Sequence, residues 1–227
     1  MHPRFRVAEE ALRSASGDAS SICEPLRVAF EADTAGVSTL GKPFGARMVC
    51  AAGRYATVFG ELQIDLGQGP AWDAYLTGRP VLVRHMSVGT RWPILLERMD
   101  GLSIESVFAF PLRAGPLDVG ALCLTTSTSR GLNEEQLVAA AALVPLAGAA
   151  VVARALRAAE RGDDVEEVTM REVHQATGMA AAQLGVTPDE ALLAIRAHAF
   201  ATSRSVRQVA QDLVQRRLDL SRDEPAT

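Results

Sequence analysis

The chain has 227 residues, 48% of them hydrophobic and 22% charged, and a formal net charge of −4. That length holds one large domain or two smaller ones, and the composition excludes a disordered chain. The charge excludes polyanion binding by bulk electrostatics, so any nucleic-acid contact has to come from a local basic face.

Residues 1–18 are polar and irregular and read as a loosely held, flexible N-terminal arm; they show neither the apolar core nor the cleavage motif of a signal peptide. Ser20–Ala32 reads as a helix, opened by Ser21 and Glu24 at capping-box spacing, with Leu26, Ala29 and Phe30 on one side. Short β-like runs follow at Gly36–Leu40, Met48–Ala51, Val81–Met86, Ser106–Leu112 and Gly120–Thr126. Gly/Pro turns at Gly41-Lys42-Pro43, Gly67-Gln68-Gly69-Pro70 and Gly115-Pro116 punctuate them, and helical pieces lie at Trp72–Thr77 and Pro93–Met99. Asn133-Glu134-Glu135-Gln136 then starts a helix with carboxylates in its first turn, where the helix dipole favours them. Its continuation, Leu137–Ala153, carries no charge but is short of the roughly 20 apolar residues of a membrane span. It reads as a buried helix: Leu137, Val144 and Val151 recur every seven residues with Ala140, Ala147 and Gly148 between them, which suits close helix packing within the chain or across a dimer. Arg154–Arg161 continues the helical pattern, Gly162-Asp163-Asp164 reads as a stop followed by an N-cap, and Glu166 and Glu167 suit the first turns of the next helix.

The last sixty residues read as three short helices. Thr187-Pro188-Asp189-Glu190 supplies a threonine N-cap, a proline at the first helical position and a glutamate at the third. Ser205-Val206-Arg207-Gln208 repeats the same logic. On the helix after Pro188, Leu192, Ile195 and Ala199 share the predicted core face, with Ala191 and Leu193 at its border; on the last helix Val206, Val209, Leu213 and Leu218 are apolar. Arg196, Arg204 and Arg207 fall outside these stripes and can converge around one helix–turn–helix corner. A planar guanidinium there would bond phosphate and stack on unpaired bases.

Catalytic signatures are missing: the chain has no GxSxG, HExxH or GxxxxGK[ST] motif. The three cysteines, Cys23, Cys50 and Cys123, are odd in number and widely spaced, so the sequence predicts neither a disulfide nor a zinc site. Cys50 and Cys123 read as small hydrophobes in strands, His85 as a strand histidine, and Trp72, Tyr75 and Trp92 as packing or pocket-lining aromatics.

Two resemblances then organise the chain. Ser20–Ala153, with its helix–strands–helices–strands–helix order and the phrases LGQGPAWDAYLTGRPVLV and SVFAFPL…VGALCL, resembles a GAF domain, a small-molecule or signal-sensing fold. Val173–Leu213 resembles an ANTAR domain, the three-helix RNA-binding module of bacterial transcription antiterminators. Its family pattern is matched by Ala176 and Gly178 in the first helix, Arg196 and Ala199 in the second, and Ser203 and Arg204 before the third. Thr177 stands where the family usually has lysine, and Ser205 where a basic residue is common. Restoring lysine at Thr177 is therefore expected to strengthen RNA binding. The implied fold class is α+β: a GAF-like antiparallel sheet flanked by helices, followed by a C-terminal all-α three-helix ANTAR domain. The implied domains are a GAF-like sensor with a linker helix over 19–160 and an ANTAR-like RNA-binding domain over 161–222. The sensor sheet, flanked by the Trp72–Thr77 and Pro93–Met99 helices, is expected to enclose a mostly apolar pocket of a few hundred Å³ for an unidentified small-molecule ligand, with no metal or cofactor.

The resemblance implies a cytoplasmic, non-enzymatic antitermination regulator, acting as a homodimer without a membrane anchor. Its RNA-binding residues would be Ala176, Gly178, Arg196, Ala199, Ser203, Arg204 and Arg207, and its targets paired hairpins in nascent transcripts. A second reading stays open, in which the C-terminal segment mediates protein contacts only.

Overall fold

The computed structural model describes residues 2–14, 20–88, 90–161, 165–202 and 204–221, with side chains for all of these except 20, 21, 161 and 165–171. The chain divides into two compact units, Met1–Ala158 and Ala159–Thr227. The predicted stop and N-cap at residues 162–164 and the side chains of Ser21, Glu166 and Glu167 lie outside the described residues.

The first unit is built on five antiparallel strands: β1 (Thr34–Thr39), β2 (Arg47–Ala52), β3 (Val81–Val83), β4 (Ser106–Ala114) and β5 (Leu117–Thr126), in the order β2-β1-β5-β4-β3. β4 and β5 form a hairpin in which Ala114 faces Leu117 across a two-residue turn. Gly115 takes φ 58° there, a left-handed value that glycine adopts without a side-chain clash. The near-continuous apolar runs of β4 and β5 are explained by burial on both faces. Phe108, Phe110, Leu112, Leu122 and Leu124 point to one side, under α1 (Pro3–Ser14), α2 (Ser20–Ala29) and α6 (Glu134–Arg161). Val107, Ala109, Ala121 and Cys123 point to the other, under α3 (Ala56–Leu66), α4 (Pro70–Thr77) and α5 (Pro93–Arg98).

Two expectations are corrected in this unit. Residues 3–14 of the predicted arm form helix α1, because Phe5, Ala8 and Leu12 fall on one face and are buried against α2 and the sheet. Phe5 packs edge-on to Phe30 at 5.9 Å between ring centroids. Cys23 and Cys50 form a disulfide, with 5.9 Å between their Cα atoms. Sequence spacing carries no sign of it, since the pair meets only because α2 crosses β2. The space between the sheet and α3, which is not where the pocket was expected, is not ligand-sized. Its cavity measures about 10 Å³, room for one water molecule. Met48 occupies the slot between Gly36 and Gly60, where a Cβ added to Gly60 would collide with its sulfur, and Ser38 Oγ donates to Met48 Sδ at 3.0 Å. The predicted aromatics are tied into the same packing: Trp72 Nε1 donates to the Gln63 carbonyl at 2.8 Å and Trp92 Nε1 to Asp73 Oδ2 at 3.0 Å.

Helix α6 starts as predicted, with a reciprocal cap: Gln136 N donates to Asn133 Oδ1 at 2.8 Å and Asn133 N to Gln136 Oε1 at 3.0 Å. Its inner face is Ala139, Ala140, Leu143, Val144, Ala147, Ala150 and Val151, and Gly148 allows the close approach of the Arg113 backbone. Leu137, placed on the seven-residue stripe by sequence, lies outside this face and is exposed, as are Val138 and Leu156. By length and composition Glu134–Glu160 would suffice to cross a membrane, yet half of its most apolar window is buried in the fold.

Candidate nucleic-acid interface

The second unit is three helices, α7 (Val165–Leu184), α8 (Pro188–Ala201) and α9 (Val206–Val214), closed on their own core. Local chemistry defines each joint. α7 ends at Gly185, which takes φ 68° while its N–H and that of Val186 both donate to the Ala181 carbonyl, at 2.9 and 3.2 Å. α8 begins with the predicted capping box: Glu190 N donates to Thr187 Oγ1 at 3.4 Å and Thr187 N to Glu190 Oε2 at 2.8 Å. The Thr187 hydroxyl, then its backbone N–H, hold the Glu190 carboxyl below the usual range. Ser205 and Gln208 repeat the box at α9, at 3.2 and 3.0 Å.

The core stripe on α8 is Ala191, Ile195 and Ala199, packed against Ala176 and Ala180 of α7 and Val206, Val209, Ala210 and Leu213 of α9. The stripe is turned from the predicted one: Ala191 is central, Leu192 is half-buried and Leu193 is 66% exposed. The small alanines let α7 and α8 approach closely, which leaves the bulkier leucines outside.

This packing decides where the predicted site residues lie. Ala176 and Ala199 are in the core, so their side chains supply close packing and any RNA contact at those positions falls to their neighbours. Thr177 is only 9% exposed and its hydroxyl donates to the Val173 carbonyl at 2.7 Å. A lysine there would have to carry its charge out along the surface of α7 from a nearly buried position. Gly178 is exposed, and a Cβ placed on it would meet nothing within 4 Å among the described residues. No helix neighbour therefore calls for glycine at this point of α7.

The arginines divide. Arg196 is half-buried on α8 beside Ile195. Arg204 lies along α9: its guanidinium donates to the Gln208 carbonyl at 3.2 Å and forms a short ion pair with Asp212. Arg207, in the first turn of α9, is exposed and has no ion-pair partner among the described residues. Ser203 lies outside the described residues. Two further arginines, outside the set expected from sequence, follow α9: exposed Arg216, at φ 57°, and Arg217, 4.0 Å from Asp212. Their signal is the dipeptide at the end of an amphipathic helix, where cations suit the dipole.

A protein-family model of the GAF domain matches residues 7–152, and one of the ANTAR domain matches residues 168–214. The chain belongs to the GAF family and carries an ANTAR domain behind it. The GAF fold is seen again in solved structures. The GAF domain of a phosphoenolpyruvate-protein phosphotransferase from Coxiella burnetii is 13% identical with a TM-score of 0.54, the match covering 70% of this chain and 95% of that one. The free methionine-R-sulfoxide reductase of Neisseria meningitidis, solved with its substrate, is 13% identical with a TM-score of 0.51, over 67% of this chain and 91% of that one. At such identity these likenesses establish the fold alone. No curated protein matches the chain. In this GAF–ANTAR chain the ANTAR unit closes its own core, and among the described residues Gly178, Arg207 and Arg216 lie exposed outside it.

Proposed function

We propose that this GAF–ANTAR protein is a signal-responsive transcription antitermination regulator, in which the GAF unit controls an ANTAR unit that binds hairpins in nascent transcripts. Such a protein is a regulator rather than an enzyme and acts in the cytoplasm, where transcripts are made. The observation that carries the reading is the ANTAR match over 168–214, on a unit that closes its own apolar core. Arg207 adds physical support. A cation in the first turn of a helix faces the positive end of its dipole, which is unfavourable unless an anion arrives. Phosphate is such an anion, and the exposed N-terminal turn of α9 could share it with Arg207. Arg196, Gly178 and Ser203 complete the proposed RNA face.

Two hairpins suit two copies of the unit, and joining weak binders raises the effective concentration at the second site. The homodimer is proposed to form through the outward face of α6, where Leu137, Val138 and Leu156 are exposed and no charge interrupts Leu137–Ala153. The competing reading, protein contact only, is favoured by one observation: exposed Leu193 on α8.

The experiment is a salt titration of binding to a twin-hairpin RNA by wild type and Arg207→Ala. Loss of one phosphate contact flattens the slope of log affinity against log salt by about one unit, while stability stays within about 0.5 kcal/mol. Identical slopes, or no binding by a folded wild type, would hand the unit to the protein-contact reading.

A further inference from the structure

We propose that Cys23 and Cys50 are a reversible redox centre, a dithiol–disulfide pair that takes a small hydroperoxide as its signal and passes the change to α6 through α2. The inference rests on the regulator reading above. A protein that meets nascent transcripts works in a reducing compartment, where a disulfide that forms at all is usually of the transient, sensing kind.

The bridge joins the middle of α2 to β2, residues 27 apart in sequence. β2 is an edge strand, paired only with β1. Cys50 retains 7% exposure and Cys23 none, so reagents enter from the Cys50 side. The third cysteine does not compete. Cys123 lies on the opposite face of the sheet, among α3 and α4, and burial pushes its thiol up to about 12 against the opposing pull of Gln63, so it stays protonated and unreactive.

The route to α6 is explicit. Seven residues after Cys23, the Phe30 carbonyl at the end of α2 accepts from Gln136 Nε2 at 3.1 Å and from Arg130 at 2.8 Å. Gln136 is also half of the cap that starts α6. Leu26 and Phe30 share one core with Leu143 and Ala147 of α6. The first turns of α6 are thus fastened to the helix that the disulfide fastens to the sheet, and the far end of α6 is the covalent lead into the ANTAR unit.

The chemistry balances. The Cys50 thiolate attacks a peroxide oxygen; for hydrogen peroxide this gives a sulfenic acid at Cys50 and one water. The Cys23 thiol then displaces that hydroxyl as a second water and the S–S bond forms. Two thiols give up two electrons and two protons, and one peroxide becomes two waters. A dithiol reductant of the thioredoxin class reverses it: its thiolate takes Cys50 into a mixed disulfide, Cys23 leaves as a thiol, and the second reductant thiol releases Cys50. Reduction leaves α2 packed but removes its covalent tie to β2.

The test uses the full chain, poised with hydrogen peroxide or with reduced thioredoxin. Thiol alkylation and mass spectrometry read the pair, amide hydrogen exchange reads α2 and residues 134–144, and twin-hairpin RNA affinity is measured in both states. The bridge should open and re-form in the folded protein, and amides of both segments should exchange at least about fivefold faster when reduced, with RNA affinity also differing about fivefold or more. Cys123→Ala should respond like wild type; the Cys23→Ala, Cys50→Ala double variant should behave as reduced and ignore peroxide. A bridge that never forms in the folded chain, one that yields only on unfolding, or equal exchange in both states would overturn the proposal, and these readouts need no variant. If RNA binds in neither state the regulator reading fails, and the exchange data alone then uphold or overturn the redox centre.

Discussion

Replacing Gly178 with alanine sets stability and binding against each other. The residue lies in the body of α7, exposed, with a helical φ and open space for 4 Å around the point a methyl would occupy, among the described residues. On folding grounds alone the glycine is a defect. Alanine should stabilise the helix by about 1 kcal/mol, part of it by restricting the unfolded chain. For a unit the size of Ala159–Thr227 this raises the midpoint of its thermal transition by roughly 4–8 °C. If RNA backbone comes close to α7 at this point, the same methyl holds it off. A tenfold loss of affinity, ~1.4 kcal/mol, is the expected scale. Calorimetry of the wild type and variant, paired with RNA titrations at one salt concentration, reads both quantities. A variant that is more stable and binds RNA unchanged would refute the contact at Gly178. A less stable variant would refute the open environment from which the gain was worked.

Arg204→Ala and Asp212→Ala should each cost about 0.5–1 kcal/mol, since their ion pair is about a third exposed; urea unfolding of both variants and of the double variant, in which the losses should not add, checks the coupling. Gly148→Ala should have the opposite sign to Gly178→Ala: its methyl would run into the Arg113 backbone, and overpacking of about 1–3 kcal/mol outweighs the gain in helix propensity. Denaturant midpoints decide between them. The Asp33 carboxyl is held below its ordinary value of 3.8, first by the Ser127 hydroxyl and then by the Ser127 N–H. Its stabilising contribution is therefore present above that value and fades as pH falls through the lowered one. Asp33→Asn should be less stable than wild type at pH 7, by at most ~1 kcal/mol for this exposed group, and the difference should shrink as pH falls below the ordinary carboxylate range.

What was legible in the sequence is what is encoded within one turn of chain. The boxes at Thr187/Glu190 and Ser205/Gln208 are signals three residues apart, and both form as read; the helix start read at Asn133–Gln136 forms too, through a reciprocal cap that the structure adds. The apolar runs of β4 and β5 likewise announce buried strands. The family patterns identified both domains because they are themselves records of packing. What escaped is settled by residues far apart. α1 buries only three residues of a largely polar stretch, and is fastened to the fold where Phe5 meets Phe30. The Cys23–Cys50 bridge and the Met48 plug exist because β2 folds under α2 on one side and α3 on the other. Among the candidate RNA contacts, Arg204 looked spare until its partner Asp212, eight residues on, was brought alongside by α9. Ala176 and Ala199 carried a family signal that the structure accounts for as core packing.

Among the described residues, half of the apolar ones sealed inside the ANTAR unit are alanines: Ala176, Ala180, Ala191, Ala199 and Ala210, against Ile195, Val206, Val209, Leu213 and Leu220. A methyl group withdraws little area from water, so this described part of the core is thin. At ordinary values per residue, a unit of this length has a reserve of roughly 3–10 kcal/mol, and a thin core puts it toward the lower end. A ligand present at a hundred times its dissociation constant adds about 2.7 kcal/mol, which is comparable with that reserve. Occupancy therefore governs how often the helices open, and with it how long the polypeptide survives cellular proteases. On the reading proposed above RNA is that ligand, and the chain without it is expected to be degraded faster than the chain that holds it.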